Sequence, residues 1–416
     1  MSPETEKLLH PLSEKHIIIS GAGIAGLAFA RGLDRQWPLS LPPPKVTLYE
    51  RDDRHLPAER GNYSLGLRSD KVSGGIQAIR ELGMLDEIIK ASVPGSDSGG
   101  SIRDHNWEPL VPFKLPETPP DGLPVSNMRI TRNSIRETFI QGLPSSVQAN
   151  WGTQCTSASK SQNGGMTVSM SDGTFAHCDL LVVADGASSK LRSSLRPLDT
   201  LQYAGAVCIG GNAFFERGKV PAHVSGSFGV VVGGNGIGLV VFPIDDRSAV
   251  WFLTQRSKEP RTAVQGAAAL KMKDEILEEV ISKGDVFGKN FKQILDATDP
   301  TSLKIFNAQD KRPITHTEAE VEEMPVVFIG DSNHAVSPFA GNGANMALMD
   351  GVSLSKALCE EDSIARAVAV FDKESNPRCT KAWRISHVVI RIFHAQGIFL
   401  WFILAVLKTL FWFLSR

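Results

Sequence analysis

The sequence predicts an α/β protein: a Rossmann-like nucleotide-binding domain built from discontinuous segments, an inserted antiparallel-sheet domain, and a helical, strongly apolar C-terminus. Three observations support this fold class. The segment HIIIS-GAGIAG-LAFARGL has the order strand, glycine turn, helix. From about Leu201 to Gln255 the pattern changes to alternating strand-like runs. A further apolar run, MPVVFIGD, then ends in Gly-Asp and indicates that the first domain resumes.

These changes along the chain divide it into six segments, and 416 residues are enough for about two to three domains. The segments are residues 1–92, 129–200 and 321–375 for the nucleotide-binding domain, 93–128 for a mostly loop and strand region on the substrate side, 201–320 for the substrate domain, and 376–416 for the C-terminal helix. Helical spacing of apolar residues also predicts helices over 72–92 and 129–142.

Composition excludes several classes of protein. A net charge of -1 provides no general basic surface for nucleic acid. The five cysteines are scattered and contain no CxxC pair, which argues against a disulfide framework and against a zinc site. The first residues are polar and lack the apolar core of a signal peptide, so the sequence predicts a cytosolic start. We therefore expect neither a metal nor a nucleic-acid partner.

The first glycine motif has the composition of a dinucleotide-binding turn. Gly21 permits the tight turn, Gly23 lets the backbone approach a pyrophosphate, and Gly26 lets the helix pack on the strand. Glu50, at the end of the second strand (KVTLYE), is the candidate acidic partner for ribose hydroxyls. It lies further from Gly21 than the usual distance of about 20 positions, because a Pro-rich loop around 37–44 lengthens the connection.

A second glycine cluster, VVVGGNGIGLVVF, has a different interpretation. Asn235-Gly236 stands between two apolar strand-like runs, which is the signal of a β-hairpin, and no helix follows. The sequence therefore offers no separate Rossmann domain for a nicotinamide cofactor.

Two further motifs follow apolar strands. CDLLVVADGASSKLR places Asp185 and Gly186 after one strand, and VVFIGDSNHAVSPFAGNGANMALMDG places Asp331 after another. A short carboxylate at a strand end can accept hydrogen bonds from a polyol. The glycine-rich loop that opens a helix near Ala344 directs backbone amides at an anion. This is a suitable seat for the negative charge of a reduced flavin.

The order GxGxxG–Glu, DG, then GD with PxxGxGxN resembles the class A FAD-dependent monooxygenases, the family of para-hydroxybenzoate hydroxylase. PFAGNGANMALMDG and RITRNSIRETF are closest in motif to the tetracycline-inactivating monooxygenases. The resemblance implies non-covalent FAD and NAD(P)H as co-substrate. It assigns Glu50 to the adenosine ribose, Arg51 to the adenine region, Arg132 to the phosphate or ribityl side, Asp331 to the ribityl chain, and the amides around Gly343 and Ala344 to the pyrimidine edge.

The same resemblance links Asp185 and Gly186 to both FAD and NAD(P)H, places Arg60 near an arginine associated with the nicotinamide cofactor, and places Gly66 near a flavin-contacting position. No catalytic residue is assigned, because the flavin chemistry of this family does not need a conventional acid–base pair. His334 is expected to be a packing or loop-capping residue rather than a base. Aromatic residues of the substrate domain could line a pocket or fill the sheet core: Phe228, Phe242, Trp251 and Phe252.

The implied activity is insertion of one oxygen atom, as hydroxylation or epoxidation, into a lipophilic small molecule of secondary metabolism. With only three tyrosines, the chain has few residues for a phenol-activating network, so phenol hydroxylation is disfavoured. The alternative is an FAD-dependent oxidoreductase that oxidises its substrate without inserting oxygen.

The C-terminal segment 397–414, GIFLWFILAVLKTLFWFL, is just long enough to cross a bilayer core, for which about 20 residues are typical. Its apolar residues on every face favour membrane association over burial in the core. The sequence leaves open whether this segment spans the bilayer or lies on its surface. The predicted location is the cytosolic face of an intracellular membrane, or the cytoplasm, and the oligomeric state is unknown.

Overall fold

The computed structural model describes residues 10–55, 63–70, 73–93, 100–112, 119–224 and 229–414. The strands are β1 His16–Ser20, β2 Lys45–Glu50, β3 Ser64–Arg68, β4 Ser101–Arg103, β5 Pro109–Pro112, β6 Asn127–Thr131, β7 Val147–Trp151, β8 Cys155–Lys160, β9 Met166–Met170, β10 Phe175–Cys178, β11 Leu180–Val183, β12 Gln202–Phe214, β13 Gly229–Val232, β14 Ile237–Pro243, β15 Ser248–Arg256, β16 Lys304–Asp310 and β17 Val326–Phe328.

The helices are α1 Ile24–Gln36, α2 Gly75–Glu81, α3 Leu85–Ala91, α4 Arg132–Gln141, α5 Lys190–Leu195, α6 Ala267–Lys271, α7 Lys273–Gly284, α8 Gly288–Asp296, α9 Glu318–Glu323, α10 Asp331–His334, α11 Gly343–Glu360, α12 Ile364–Phe393 and α13 Gly397–Leu414. Short 3-10 turns occupy Pro120–Gly122, Asp285–Phe287, Pro300–Ser302 and Pro338–Ala340.

The nucleotide-binding domain is organised around a parallel sheet with the strand order β17-β11-β1-β2-β7. Strand β1 lies at its centre, and its residues from position 17 to 20 are all buried. The five strands come from widely separated parts of the sequence. Helices α1, α11 and α12 contribute to the main apolar core of this domain. The predicted fold class, with a discontinuous Rossmann-like domain, is confirmed.

The second large sheet has seven strands in the order β16-β12-β15-β14-β13-β4-β5. Its pairings are antiparallel except that of β4 with β13, which is parallel. Helices α6 to α8 cover one face, where an apolar cluster contains Trp251, Leu239 and Ile305. We call the other one the inner face: it contacts α12 and the 3-10 turn Pro338–Ala340 through residues such as Val240.

Two local differences separate the structure from the sequence-based expectations, and one local expectation is confirmed. Residues 129–131 belong to β6 instead of a helix, because they pair with β3 in a two-stranded antiparallel sheet. The helix expected over 72–92 is divided into α2 and α3 at Gly83, whose φ of 66° lies in the left-handed region. The hairpin at Asn235-Gly236 is confirmed by the antiparallel pairing of β13 and β14.

The C-terminal helix α13 is only half covered by the protein. Leu400 and Leu404 are buried in an apolar cluster with Ile102 of β4 and Val111 of β5. Ile398 is 89% exposed and Phe402 is 67% exposed on the same helix. In the part of the chain that the structure describes, no helix combines the length and apolar character needed to traverse a bilayer. The helix therefore buries one face and exposes the other; the sequence favoured membrane association over burial in the core, and burial holds for one face.

Helices α1 and α11 approach each other so closely that glycine is required at the contact. A Cβ on Gly351 would lie 2.6 Å from the Cβ of Ala28 and 2.7 Å from the backbone nitrogen of Phe29. Gly32, one turn further along α1, would overlap Ser355 in the same way. This crossing fixes the position of α11, whose first residues belong to the motif described below.

We therefore expect Gly351→Leu to lower the free energy of unfolding by about 1–3 kcal/mol or more, because the interface has no space for the side chain. Lys356→Leu, on the exposed side of the same helix, is the control and should change stability by less than about 0.5 kcal/mol. Thermal unfolding of the two purified variants measures the difference. Equal melting temperatures would contradict the role assigned to this contact.

Candidate cofactor site

The turn between β1 and α1 is shaped by its glycines. Gly21 has φ 108°, and a Cβ there would lie 2.5 Å from the carbonyl oxygen of Ala184, so only glycine is tolerated. A Cβ on Gly26 would overlap the carbonyl oxygen of Gly21. Gly23 differs, because the nearest atom to its Cβ position is 3.9 Å away. The turn therefore packs tightly on the strand side and leaves room at the N-terminus of α1, as a bound pyrophosphate requires.

Glu50 stands at the end of β2 beside this turn and is buried. Its Oε2 accepts a hydrogen bond from the backbone nitrogen of Ala22 at 2.6 Å, and its Oε1 accepts one from that of Asp52 at 3.0 Å. The carboxylate thus lies where ribose hydroxyls beside the turn would meet it. The side chain of Arg51, the next residue, is 54% exposed, and its Nε lies 3.9 Å from Oδ1 of Asp52.

Arg136 also contacts this turn, although none of the sequence motifs indicated it. Its Nε donates to the carbonyl oxygen of Ala22 at 3.2 Å, and its Nη1 donates to that of Arg54 at 2.7 Å. Burial lowers the pKa of Arg136, and the charge of Glu50 opposes this change. Its position one helical turn after Arg132, on the buried side of α4, was the available signal.

Asp185 follows β11 and lies against the same turn. Its Oδ2 accepts hydrogen bonds from the backbone nitrogens of Lys190 at 3.0 Å and Leu191 at 3.4 Å. Its Oδ1 is buried and has no hydrogen-bond partner among the described residues. Burial raises the pKa of Asp185 despite these donors. A buried acceptor without a donor fits a site that a ligand hydroxyl or amine completes. Gly186, next along the chain, has φ 83°.

Asp331 and Gly343 face each other across the second half of the site. A Cβ on Gly343 would lie 3.7 Å from Oδ1 of Asp331. Asp331 keeps an exposed side, but the protein atoms around it desolvate its carboxyl group. This desolvation raises its pKa, and the charges of His334 and Arg132 oppose the rise. Ala344 follows Gly343 in the first turn of α11 and is half-buried against the main core.

Asn345 brings Gly66 to the same place. Its Nδ2 donates to the carbonyl oxygen of Gly66 at 2.9 Å, and its Oδ1 accepts from the backbone nitrogen of Arg68 at 2.9 Å. Arg132 begins α4 and donates its backbone nitrogen to the carbonyl oxygen of Tyr63 at 3.0 Å. Two N-termini, those of α1 and α11, thus open on one elongated site. Arg60 lies outside the described residues.

Two contacts join the halves of the site. A Cβ on Gly330 would lie 2.9 Å from the Cβ of Ala25, so the strand end before Asp331 touches α1. Arg192, from α5, donates from Nη1 to the carbonyl oxygen of Ser332 at 2.9 Å. The Asp185-Gly186 segment is therefore held against the Gly330-Asp331 turn.

His334 is not placed to act as a base. It is 1% exposed and its Nε2 is paired with Oδ2 of Asp350. Asp350 also accepts from the backbone nitrogen of Gly330 at 2.8 Å, from Ser375 Oγ at 2.7 Å and from Arg378 Nη2 at 3.0 Å. We call these five residues the Asp350 network.

Cys379 lies close to His334 and Asp350, and these are the candidate metal ligands among the described residues. The oxygens of Asp350, however, are already used by four protein donors. The cluster therefore fits a hydrogen-bonded network better than a metal site.

Burial disfavours the charged form of Asp350, but His334 and Arg378 outweigh burial and lower its pKa to about 2. Burial also opposes protonation of His334, yet the carboxylate of Asp350 raises the pKa of His334 well above its ordinary value. We expect Asp350→Asn to lower the free energy of unfolding at pH 7 by about 3–5 kcal/mol, because it leaves buried cations without a carboxylate.

The directions of these two pKa shifts determine how the free energy of unfolding changes with pH. The contribution of Asp350 is complete above its ordinary pKa of about 3.9 and is lost as the pH falls toward 2. The contribution of His334 is complete below about pH 6.5 and is lost only as the pH rises through its raised pKa. The variant and the wild type should therefore converge in acid. Asp362→Asn, which removes an exposed pair with Arg366, is the control and should cost about 0–1 kcal/mol. A stability difference that is unchanged at pH 2.5 would contradict this assignment.

The geometry agrees with what known proteins show. The family described as FAD binding domain matches residues 141–387, more than half of the chain. Monooxygenase cfoF of Aspergillus candidus is 36% identical over 393 residues, which cover 92% of this chain and 93% of that protein.

Among solved structures, an FAD complex of a variant of HpxO from Klebsiella pneumoniae has a TM-score of 0.74 at 20% identity and covers 95% of this chain and 94% of its own. Tetracycline destructase Tet(55) has a TM-score of 0.69 at 16% identity, with 96% of each chain covered. At these identities the structures show the fold alone. Together with the family match and the relative, they confirm the resemblance inferred from the motifs: this chain is an FAD-dependent enzyme and belongs to the class A FAD-dependent monooxygenases.

Proposed function

We propose that the chain uses NAD(P)H and molecular oxygen to insert one oxygen atom, by hydroxylation or epoxidation, into a lipophilic small molecule of secondary metabolism. The proposal rests on one observation: an apolar surface lies directly beside the cofactor site. Phe339 belongs to the 3-10 turn just before Gly341 and packs against Val240 and Phe393 on the inner face of the seven-stranded sheet. The flavin-side loop is thus continuous with an apolar wall.

The residues of the chain have separable tasks in this reaction. The N-terminus of α1 holds the pyrophosphate of FAD with backbone amides, and Glu50 holds the adenosine ribose. Asp331 accepts hydrogen bonds from the ribityl chain, and the amides of Gly343 and Ala344 stabilise negative charge at the pyrimidine edge. When bound, FAD supplies the chemistry: it takes hydride from NAD(P)H and activates oxygen. Apolar side chains of the inner face exclude water.

The aromatic residues that could line a substrate pocket lie on opposite faces of the seven-stranded sheet. Trp251 is fully buried on the helix-covered face, where it packs edge-on against Phe291, so it belongs to the core. Phe242 and Phe252 are half-buried on the inner face. We assign these two to the substrate side. Phe228 lies outside the described residues.

The first experiment is a visible spectrum of the purified protein, followed by the rate of NADPH loss with and without lipophilic candidates under labelled oxygen. The proposal predicts an oxidised-flavin spectrum, substrate-accelerated NADPH loss and a product with one labelled oxygen atom. Oxidation of a candidate without NADPH and without label would favour the alternative oxidoreductase. Protein that cannot be reconstituted with FAD would exclude both.

Glu50→Leu tests the ribose assignment. The substitution removes the carboxylate beside the turn, and we expect the affinity for FAD to fall at least about tenfold, which corresponds to about 1.4 kcal/mol. Glu322→Gln, on the exposed helix α9, should leave the affinity unchanged. Fluorescence titration of the apoprotein with FAD measures both. A Glu50→Leu protein with wild-type affinity would remove Glu50 from the cofactor site.

We further propose that the exposed face of α13 contacts the surface of a membrane on its cytosolic side. Ile398, Phe399, Phe402 and Val406 are 42–89% exposed on this face, while the opposite face packs on the sheet. The nearby end of α12 exposes arginines at 384 and 391. An apolar stripe beside exposed cations suits the interface of an anionic bilayer.

Phe399→Ser together with Phe402→Ser should reduce co-sedimentation with anionic lipid vesicles at least about fivefold, because each substitution removes apolar area from the bilayer contact. Val370→Ser, on an exposed part of α12, is the control. Wild-type protein that stays in the supernatant with both anionic and neutral vesicles would refute this membrane contact.

A further inference from the structure

The inner face of the seven-stranded sheet carries a lysine that the proposed function does not use. Lys304 is the first residue of β16 and pairs with Gly210 of β12. Its neighbour Ile305 belongs to the cluster under α6 to α8, so the Lys304 side chain is directed to the inner face. It therefore faces the same side as Phe252 and Val240.

The ammonium group of Lys304 is held in an aromatic environment. Its Nζ lies 5.2 Å from the centre of the Phe252 ring. Among the described residues it has no ion pair and no hydrogen bond. Burial lowers the pKa of Lys304, and no neighbouring charge opposes the change. A surface lysine would instead extend its ammonium group into water.

A glycine in the neighbouring strand allows Phe252 to lie beside Lys304. A Cβ on Gly210 would overlap the ring of Phe252, so glycine at this position lets the ring lie across β12 toward Lys304. Phe306, two residues along β16 on the same face, meets Phe252 edge-on with ring centres 5.4 Å apart. All three side chains are half-buried. Together they form an apolar surface with one positive charge at its edge, which we call the Lys304 patch.

The Lys304 patch continues to the flavin-side loop. Across the sheet, Lys304 pairs with Gly210, Gly210 with Phe252, and Phe252 with Val240. Val240 is in the cluster that Phe339 contacts. Three strand spacings separate Lys304 from Val240, or about 14 Å between their backbones. A planar molecule of roughly two or three rings would reach over this distance from the ammonium group toward the loop.

We infer that Lys304 determines substrate specificity: its ammonium group binds an acidic oxygen, a carboxylate or an enolate, at the end of a planar apolar substrate remote from the flavin. Phe252 and Phe306 contact the ring system of the same molecule. This inference rests on the proposed function, since it names the substrate class of that site. An anion would supply the partner that the described residues do not provide for this half-buried cation.

The test compares two probes that differ only in charge, anthracene-2-carboxylate and its amide, with binding measured by equilibrium dialysis. The wild type should bind the carboxylate at least about tenfold more tightly than the amide. In Lys304→Met, which keeps an unbranched side chain but removes the charge, this preference should fall to about one while binding of the amide is retained. Lys304→Arg should restore most of the preference. Lys271→Met, on exposed α6, should match the wild type.

Each result of the binding experiment either supports the role of Lys304 or refutes it. A wild type without preference for the carboxylate, or a Lys304→Met protein that keeps it, overturns the inference. Dialysis needs no flavin signal, and FAD content and NADPH loss are recorded on the same preparations. Protein that holds FAD and inserts oxygen but ignores the charge of the probe refutes the Lys304 subsite alone. Protein without FAD refutes the proposed function, whatever the probes do.

Discussion

The carboxylate of Asp350 is the interaction on which the arrangement of the cofactor site depends. It lies inside the protein on α11 and binds the backbone of Gly330, the imidazole of His334, and two residues of α12. Four donors on one buried anion are difficult to rearrange, because any that separates leaves a buried group unsatisfied. The residue after Gly330 is Asp331. The position of that carboxyl group is therefore set by a charge network behind it.

The network also explains why charge is buried in a part of the molecule that could have been apolar. Replacement of a buried ion pair by hydrophobic residues is often neutral for stability, so stability alone does not account for it. Directional hydrogen bonds define one position for the strand end, whereas an apolar contact permits sliding. The same principle applies at Asn345, whose amide aligns Gly66 with the start of α11. A polar core beneath a glycine-rich loop keeps that loop in one conformation.

The sequence predicted the parts of the site that are local. Gly21, Gly23 and Gly26 are recognisable because a turn between a strand and a helix imposes its requirements on adjacent residues. Contacts between distant segments were not readable, since nothing beside His334 indicates a carboxylate sixteen positions later or an arginine on the next helix. Residues 129–131 form a strand instead of the predicted helix because their pairing with β3, which decides the outcome, is a tertiary contact. The half-covered state of α13 depended likewise on the edge of a sheet formed by 101–112.

The parallel sheet of the nucleotide-binding domain has a consequence for how the chain is made. Its central strand, β1, pairs on one side with β11, which begins only at Leu180, and β17 completes the sheet near residue 328. Asp350 comes later still. During synthesis one edge of β1 must therefore stay unpaired until β11 is translated, and one edge of β11 until β17 is translated. The nascent chain can therefore aggregate during a period whose length depends on the rate of translation. Slower translation or a shortage of chaperones should lower the yield of folded enzyme without changing its final stability.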